Sequence, residues 1–278
     1  MTRDMEIAWK HAALVLSKKL MIGSAKANEE LRHWLDRFGN IDAIYEHHFG
    51  LVPVDTEVTK LLDKEFSKVQ FEFKSLTYND ELYPEKLRGV AGAPPIIYCR
   101  GDLSLLDLKK TISFVGTREL DNPRHIAHGK RVIERLFEAG YEAIVSGLAL
   151  GSDTLGHSTA IELNKKTIAV LGTPLTLSYP KENRELQEKI AQNHLIVTEY
   201  PVGLRSFGSY FANRNRTTVG LSTGGVVVAR AGDKSGTQYA IRYSIDQGKP
   251  VYVLENNIHE KDYSWVLKYK DHIKIVRE

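Results

Sequence analysis

From Thr111 onward the chain alternates short β-branched runs with amphipathic stretches. TISFVG, EAIVSG, KTIAVLG, HLIVTE, GGVVVAR and KPVYVLE are separated by IAHGKRVIERLFEAG, TLGHSTAIELNK, KENRELQEKIAQN, a segment around NRNRTTVGLS, and GTQYAIRYSIDQG. Runs that are apolar on both faces and joined by helical patterns call for an α/β fold, a mostly parallel sheet with helices on both faces. Right-handed crossovers then bring the strand-to-helix loops to one edge of that sheet. The loops due there read GTRELDN, SGLALGSD, GTPLTLSYPKEN, TEYPVGLRSFGSY and ARAGDKSGT, so the glycine-rich and polar segments are expected around one crevice.

Residues 1–75 carry apolar positions at helical spacing, with Gly39-Asn40 as a helix stop, and read as a small helical domain. Residues 76–110, punctuated by Pro84, Pro94 and Pro95, read as a connector in which PPIIYCRG forms a short edge strand. Residues 111–278 form the α/β domain, ending in one more helix and a last strand. A chain of 278 residues buries a sizeable core without staples. No run approaches the roughly 20 apolar residues that span a bilayer. The opening MTRDMEIAWK has no apolar signal core, and the single cysteine, Cys99, excludes an internal disulfide. These features make the cytoplasm the expected compartment, with no membrane contact.

The net charge of +3 is small, but between Pro201 and Pro250 seven basic residues stand against two acidic ones. The loops sharpen this. In SGLALGSD, glycines at 147 and 151 after a strand let backbone amides approach an anion while the next helix adds positive potential. The loop fits neither GxGxxG nor GxxxxGK[ST], so a dinucleotide site or a Walker nucleotide hydrolase is not expected. Tight packing of strand and helix explains the same glycines. Arg118 in VGTR, Lys181 after SYP, Arg214 and Arg216 around Asn215, and Lys234 at the rim would converge on the crevice as a phosphate track. Each is otherwise an ordinary surface charge. Asp153 and Ser235 read as helix caps, and His157 as a packed histidine. There is no HExxH, paired cysteine or GxSxG, so neither a metal nor covalent catalysis is expected. Tyr179, Tyr200, Phe207, Tyr210 and Phe211 lie beside the basic loops. Such rings suit stacking of single-stranded nucleic acid, although a core role for half of them is the simpler expectation.

Taken together, YPEKLRGVAGAPPIIYCRGDLSLL, FVGTR, SGLALGSDTLGH, TIAVLGTPLTLSYPKENREL, LIVTEYP, FANRNRTTVGLS and KSGTQYAIRYSIDQGKPVY resemble, in order and spacing, the DNA-processing protein A (DprA/Smf) family over about Leu82 to Val253. The resemblance implies an extended Rossmann-like domain that binds single-stranded DNA, loads the RecA recombinase onto it in natural transformation, acts as a homodimer, and needs no cofactor. It places the family's motifs on Gly116, Thr117 and Arg118, on Ser146, Gly147, Leu148 and Ala149, on Lys181, and on Arg214, Asn215 and Arg216. GSAKANEELRHWLDRFGNIDAIYE is similar to the small SAM-like helical domain of many members. Three departures stand out. Leu150 occupies a position where members commonly carry arginine or lysine, no C-terminal winged helix is expected within the chain, and ENNIHEKDYS replaces a P-G segment. The rival reading is a nucleotide-binding Rossmann protein, either a sensor of a nucleotide-derived signal or a phosphoribohydrolase-like enzyme. The latter resembles P-G-G-x-G-T-x-x-E, and here Ala240 stands at the acid's position.

Overall fold

The computed structural model describes residues 1–260 and 263–277. Nine strands make one sheet: β1 (Lys74–Thr77), β2 (Ile96–Gly101), β3 (Thr111–Val115), β4 (Ala143–Ser146), β5 (Lys166–Leu171), β6 (Leu195–Thr198), β7 (Val226–Val228), β8 (Val251–Leu254) and β9 (Ile273–Val276). Their order is β1-β2-β6-β5-β4-β3-β7-β8-β9. All pairs from β6 to β9 are parallel, whereas β1 with β2 and β2 with β6 are antiparallel. Every residue of β3, β4, β6 and β7 is buried, as runs apolar on both faces demand. The mostly parallel α/β expectation is therefore borne out.

One strand assignment needs correction. PPIIYCRG is not an edge strand, because Tyr98 faces Ser75 on one side and Thr198 on the other. Pro94 and Pro95 precede the first ladder residue, so their missing N–H groups cost the sheet nothing. The true edge, KSLT in β1, is only four residues long and escaped the pattern. Asp4 guards it, accepting the N–H of Ser75 at 2.8 Å.

Four helices open the chain: α1 (Arg3–Leu16), α2 (Ala25–Phe38), α3 (Ile41–Phe49) and α4 (Thr56–Phe66). Side-chain oxygens of Thr2, Ser24, Asn40 and Asp55 cap their N-termini. Gly39, at φ +82°, ends α2 where the sequence places the stop. Ala8, Leu14, Leu31, Leu35 and Leu62 share one apolar core with Tyr98 of β2, Leu171 of β5 and Ile196 of β6. His11 Nδ1 meets the Tyr98 hydroxyl at 2.8 Å within that core. Burial pushes the His11 imidazole down to about 4, so it packs as a neutral ring.

Eight further helices among the described residues complete the layers: α5 (Glu85–Arg88), α6 (Pro123–Glu138), α7 (Ser152–Glu162), α8 (Arg184–Asn193), α9 (Gly208–Asn213), α10 (Asn215–Gly220), α11 (Thr237–Asp246) and α12 (Ser264–Lys268). Helices α6, α7 and α8 pack on the sheet face that the N-terminal helices cover. Helices α5, α10, α11 and α12 cover the other. From β3 the chain steps outward through β4, β5 and β6, then returns to the opposite side of β3 with β7. The loops following β3 and β7 thus diverge at a switch point, the place where open α/β sheets leave a crevice for ligands.

Candidate nucleic-acid interface

A crevice of about 950 Å³ opens at that switch point, between Gly116–Glu119 after β3 and the segment from Arg230 to Thr237 after β7. Its floor is tied internally. Thr117 donates its N–H to the Arg230 carbonyl at 2.6 Å and accepts from the Ser152 N–H at 3.0 Å. A Cβ at Gly116 would fall 2.4 Å from Ser152 Oγ and 2.7 Å from the Arg230 carbonyl, so the glycine serves this junction. Arg118 is left exposed at the mouth, with no side-chain hydrogen bond or ion pair among the described residues. Lys234 stands equally free on the opposite rim. Ser235 Oγ accepts the Thr237 N–H at 3.2 Å where α11 starts.

The SGLALGSD loop holds an anion already, and that anion belongs to the chain. The N–H groups of Gly147 and Ala149 donate to Asp153 Oδ2 at 3.2 and 3.3 Å. A carboxylate on the following helix thus takes up these two amides of the loop that the sequence offered to a phosphate. Ser146 Oγ donates to the Phe114 carbonyl at 2.6 Å, and the Leu148 side chain lies fully in the core beneath a backbone at φ +60°. Gly151, at φ +71°, has the Thr117 and Arg118 carbonyls where a Cβ would sit. Asn183 closes the loop from behind, donating to the Leu148 carbonyl and to Thr154 Oγ1 at 2.9 Å each. Asp153 is thus a tie for the loop ahead of it, more than a cap for its own helix.

Arg214 belongs to the same construction. Its guanidinium lies against Gly147 so closely that a Cβ there would be 1.1 Å from Nη1. Nη1 donates to the Val170 carbonyl at 2.9 Å, Nε to the Phe211 carbonyl at 3.3 Å, and Nη2 faces Asp153 Oδ2 at 3.5 Å. Both members of the pair are 7% exposed. Burial pushes the Asp153 carboxyl up and the Arg214 guanidinium down from their ordinary values, and the opposite charge of each resists the other's shift. Arg216 donates to the Gly92 carbonyl at 3.1 Å and to the Tyr243 hydroxyl at 3.2 Å, and Asn215 to the Gly236 carbonyl at 3.3 Å. Arg214 and Asn215 line the crevice wall, and the buried arginines of the RNR segment are bonded inward as struts.

The basic segment disperses likewise. Arg230 pairs with Glu260 at 3.0 Å. Lys249 turns inward to the Val219 carbonyl at 2.7 Å, and burial lowers its ammonium to about 8. Arg205, Lys234 and Arg242 remain exposed. Lys181 is exposed and unpaired where a short 3-10 turn begins. Tyr200 and Tyr210 stack in the interior with centroids 4.0 Å apart, whereas Tyr179 and Phe207 are exposed and Phe211 is half-buried against Tyr179.

The remaining candidates are structural. His157 is fully buried, bonded to Thr167 Oγ1 at 2.7 Å and lowered to about 3 by burial. Burial drives the Cys99 thiol far above its ordinary value. Ala240 lies buried in the crevice wall where a hydrolase of the rival class would need its acid. Among the described residues no group of His, Cys, Asp or Glu could hold a metal, and no helix is long and apolar enough to cross a membrane. The ENNIHEKDYS departure includes Lys261 and Asp262, which lie outside the described residues. One buried group escaped the sequence reading. Behind the crevice Glu199 Oε2 accepts from Asn28 Nδ2 of α2 at 3.2 Å, and that same amide donates to the Gly92 carbonyl that receives Arg216. The TEYP loop gave a hint of it, a charged residue directly after an apolar strand.

Comparison with known proteins places this geometry. The DNA recombination-mediator protein A family matches residues 74–267. DNA processing protein DprA of Streptococcus pneumoniae is 36% identical over 200 residues, 71% of this chain and 67% of that protein. Protein Smf of Synechocystis is 39% identical over 186 residues, 66% of this chain and 46% of its own. The chain therefore spans about half to two thirds of the length of these curated relatives. The X-ray structure of DprA from S. pneumoniae superposes with a TM-score of 0.70 at 28% identity, covering 98% of this chain and 92% of that one. The structure of DNA processing protein A from Helicobacter pylori, described for its single-stranded DNA binding mode, superposes with a TM-score of 0.62 at 31% identity, over 74% and 91% of the two chains.

Proposed function

This chain belongs to the DNA recombination-mediator protein A family, and we propose that it binds single-stranded DNA at the switch-point crevice, with Arg118, Lys181 and Lys234 meeting successive phosphates. The observation that carries this reading is the contrast between these exposed, unpaired cations and the buried, internally satisfied Arg214 and Arg216. The first three are free to exchange bound counterions for phosphates. The loop motifs Gly116-Thr117-Arg118 and Ser146 to Gly151 act as scaffold for the cations, holding Arg118 outward. The protein is read as a cytoplasmic homodimer that hands its strand to a RecA-type recombinase and catalyses no reaction of its own. Ala240 at the acid's position argues against the phosphoribohydrolase alternative.

The test is a salt titration of oligo-dT binding. Each lost phosphate contact lowers the slope of log K against log[salt] by about 0.7 for a single strand, so Arg118→Ala with Lys181→Ala should flatten it by about 1.4 and weaken binding at low salt. Both residues are exposed, so the melting temperature should hold. An unchanged slope would remove these two residues from the DNA path. Release of ribose 5-phosphate from nucleoside monophosphates would overturn the non-catalytic reading.

A further inference from the structure

We propose that Arg230 is a further phosphate contact of the crevice and that Glu260 competes with the strand for it, so that the segment joining β8 to α12 sets how tightly DNA binds. The proposal rests on the single-stranded DNA reading and deepens it. Arg230 follows β7 as Arg118 follows β3. These two strands are paired, with Val228 opposite Val115, and both arginines line the crevice. Paired strands run about 4.8 Å apart, so the two side chains start close enough to address neighbouring phosphates.

Glu260 is delivered to this point by a frame. Before it in the chain, the buried Asn257 donates through Nδ2 to the Ala229 carbonyl at 3.0 Å and accepts the Ala231 N–H at 2.9 Å. After it, Trp265 donates its backbone N–H to Asp233 Oδ1 at 2.8 Å and its indole N–H to the Ala231 carbonyl at 2.5 Å. The loop that carries Arg230 is therefore bonded to the segment on both sides of Glu260. ENNIHEKDYS, one of the three departures from the family's pattern, supplies the carboxylate that meets Arg230 Nε at 3.0 Å. That contact is of a kind a phosphate can replace. Glu260 takes one of the five guanidinium N–H groups and the Glu119 carbonyl another, at 3.2 Å. Arg100 of β2, by contrast, meets Glu188 through two bonds, at 2.9 and 2.7 Å. The Arg230 and Glu260 side chains are 27% and 29% exposed, and an ion pair so open to water is held weakly. While it is paired, however, Arg230 has no net charge to exchange for a phosphate, and the crevice offers the strand one contact fewer.

The experiment measures oligo-dT binding to the full chain by fluorescence anisotropy across a salt series. Glu260→Gln should bind about fivefold more tightly at low salt, the most that release of one open ion pair returns. Its slope of log K against log[salt] should steepen by up to about 0.7. Adding Arg230→Met to Glu260→Gln restores the net charge of the wild type and should return both quantities to wild-type values. Asp121→Asn makes the same change of charge beside the same guanidinium, which Asp121 reaches through space and not by a bond, and it should leave the slope where it was. In the Glu260→Gln protein, oligo-dT should also shield Arg230 from phenylglyoxal, read by mass spectrometry. Arg230 and Glu260 are both partly exposed, so a melting curve like that of the wild type accompanies each variant. If Glu260→Gln leaves affinity and slope unchanged, or if Asp121→Asn steepens the slope as much, Arg230 is no phosphate contact and the DNA reading stands. If neither the wild type nor Glu260→Gln binds the strand, the DNA reading falls and the role of Arg230 falls with it.

Discussion

Arg214→Met should destabilise the protein by about 3–5 kcal/mol, the usual result of removing one partner from a buried ion pair. In a chain of this size that is a drop in melting temperature on the order of 10 °C. The loss follows from what remains, because Asp153 stays buried with two amide donors and no countercharge. The carbonyls of Val170 and Phe211 lose their donors as well. Gly147→Ala should have a comparable effect by another route, since its Cβ would occupy the space of the guanidinium. Adding Asp153→Asn to Arg214→Met should recover part of the loss by removing the stranded charge. Calorimetry or thermal melting followed by circular dichroism reads all three. An Arg214→Met protein melting within a degree or two of wild type would show that the pair does not brace the loop.

The second large effect concerns pH. Burial raises the Glu199 carboxyl from its ordinary 4.5 to about 7, against the opposing pull of Asn28 and Arg216. A carboxyl with a raised folded-state value favours its protonated form in the native state. Its contribution is fully present below pH 4.5 and is lost as pH climbs through 7. The gap between those two values amounts to roughly 3 kcal/mol. Glu199→Gln, which keeps the shape and removes the ionisation, should match the wild type near pH 4.5 and exceed its stability by roughly that amount at pH 8. Urea unfolding across this range measures the difference. Parallel curves for the two proteins would mean that Glu199 is not the titrating group. Asn28 links Glu199 to α2 and Gly92 links both to Arg216, so the variant should also alter hydrogen exchange in α2.

Much of the fold was legible in the chain because periodicity is local. The six β-branched runs after Thr111 became β3 to β8, and Gly39-Asn40 marked the junction of α2 and α3. The misreading of PPIIYCRG shows the limit, since the number of neighbours a strand has is a property of the sheet. The glycine-rich loop shows it again. SGLALGSD has the composition of an anion nest and is one, but its anion comes from its own helix. The aromatic cluster was divided correctly in number between core and surface, yet which ring goes where depends on the Tyr200–Tyr210 stack and on the support of Tyr179 by Phe211.

The sequence by itself determined the parallel α/β architecture, the gathering of polar loops at one sheet edge, and the family, because these follow from the order of short patterns along the chain. The tertiary structure alone decided which cations face solvent. Arg118, after β3, and Arg214, between α9 and α10, have the same side chain and border the same crevice. One projects free at the mouth, and the other is drawn inward by the Val170 carbonyl and the Asp153 carboxylate. An arginine's direction is set by acceptors that lie far away in the chain, and a buried guanidinium with its partners satisfied has little left to offer a phosphate.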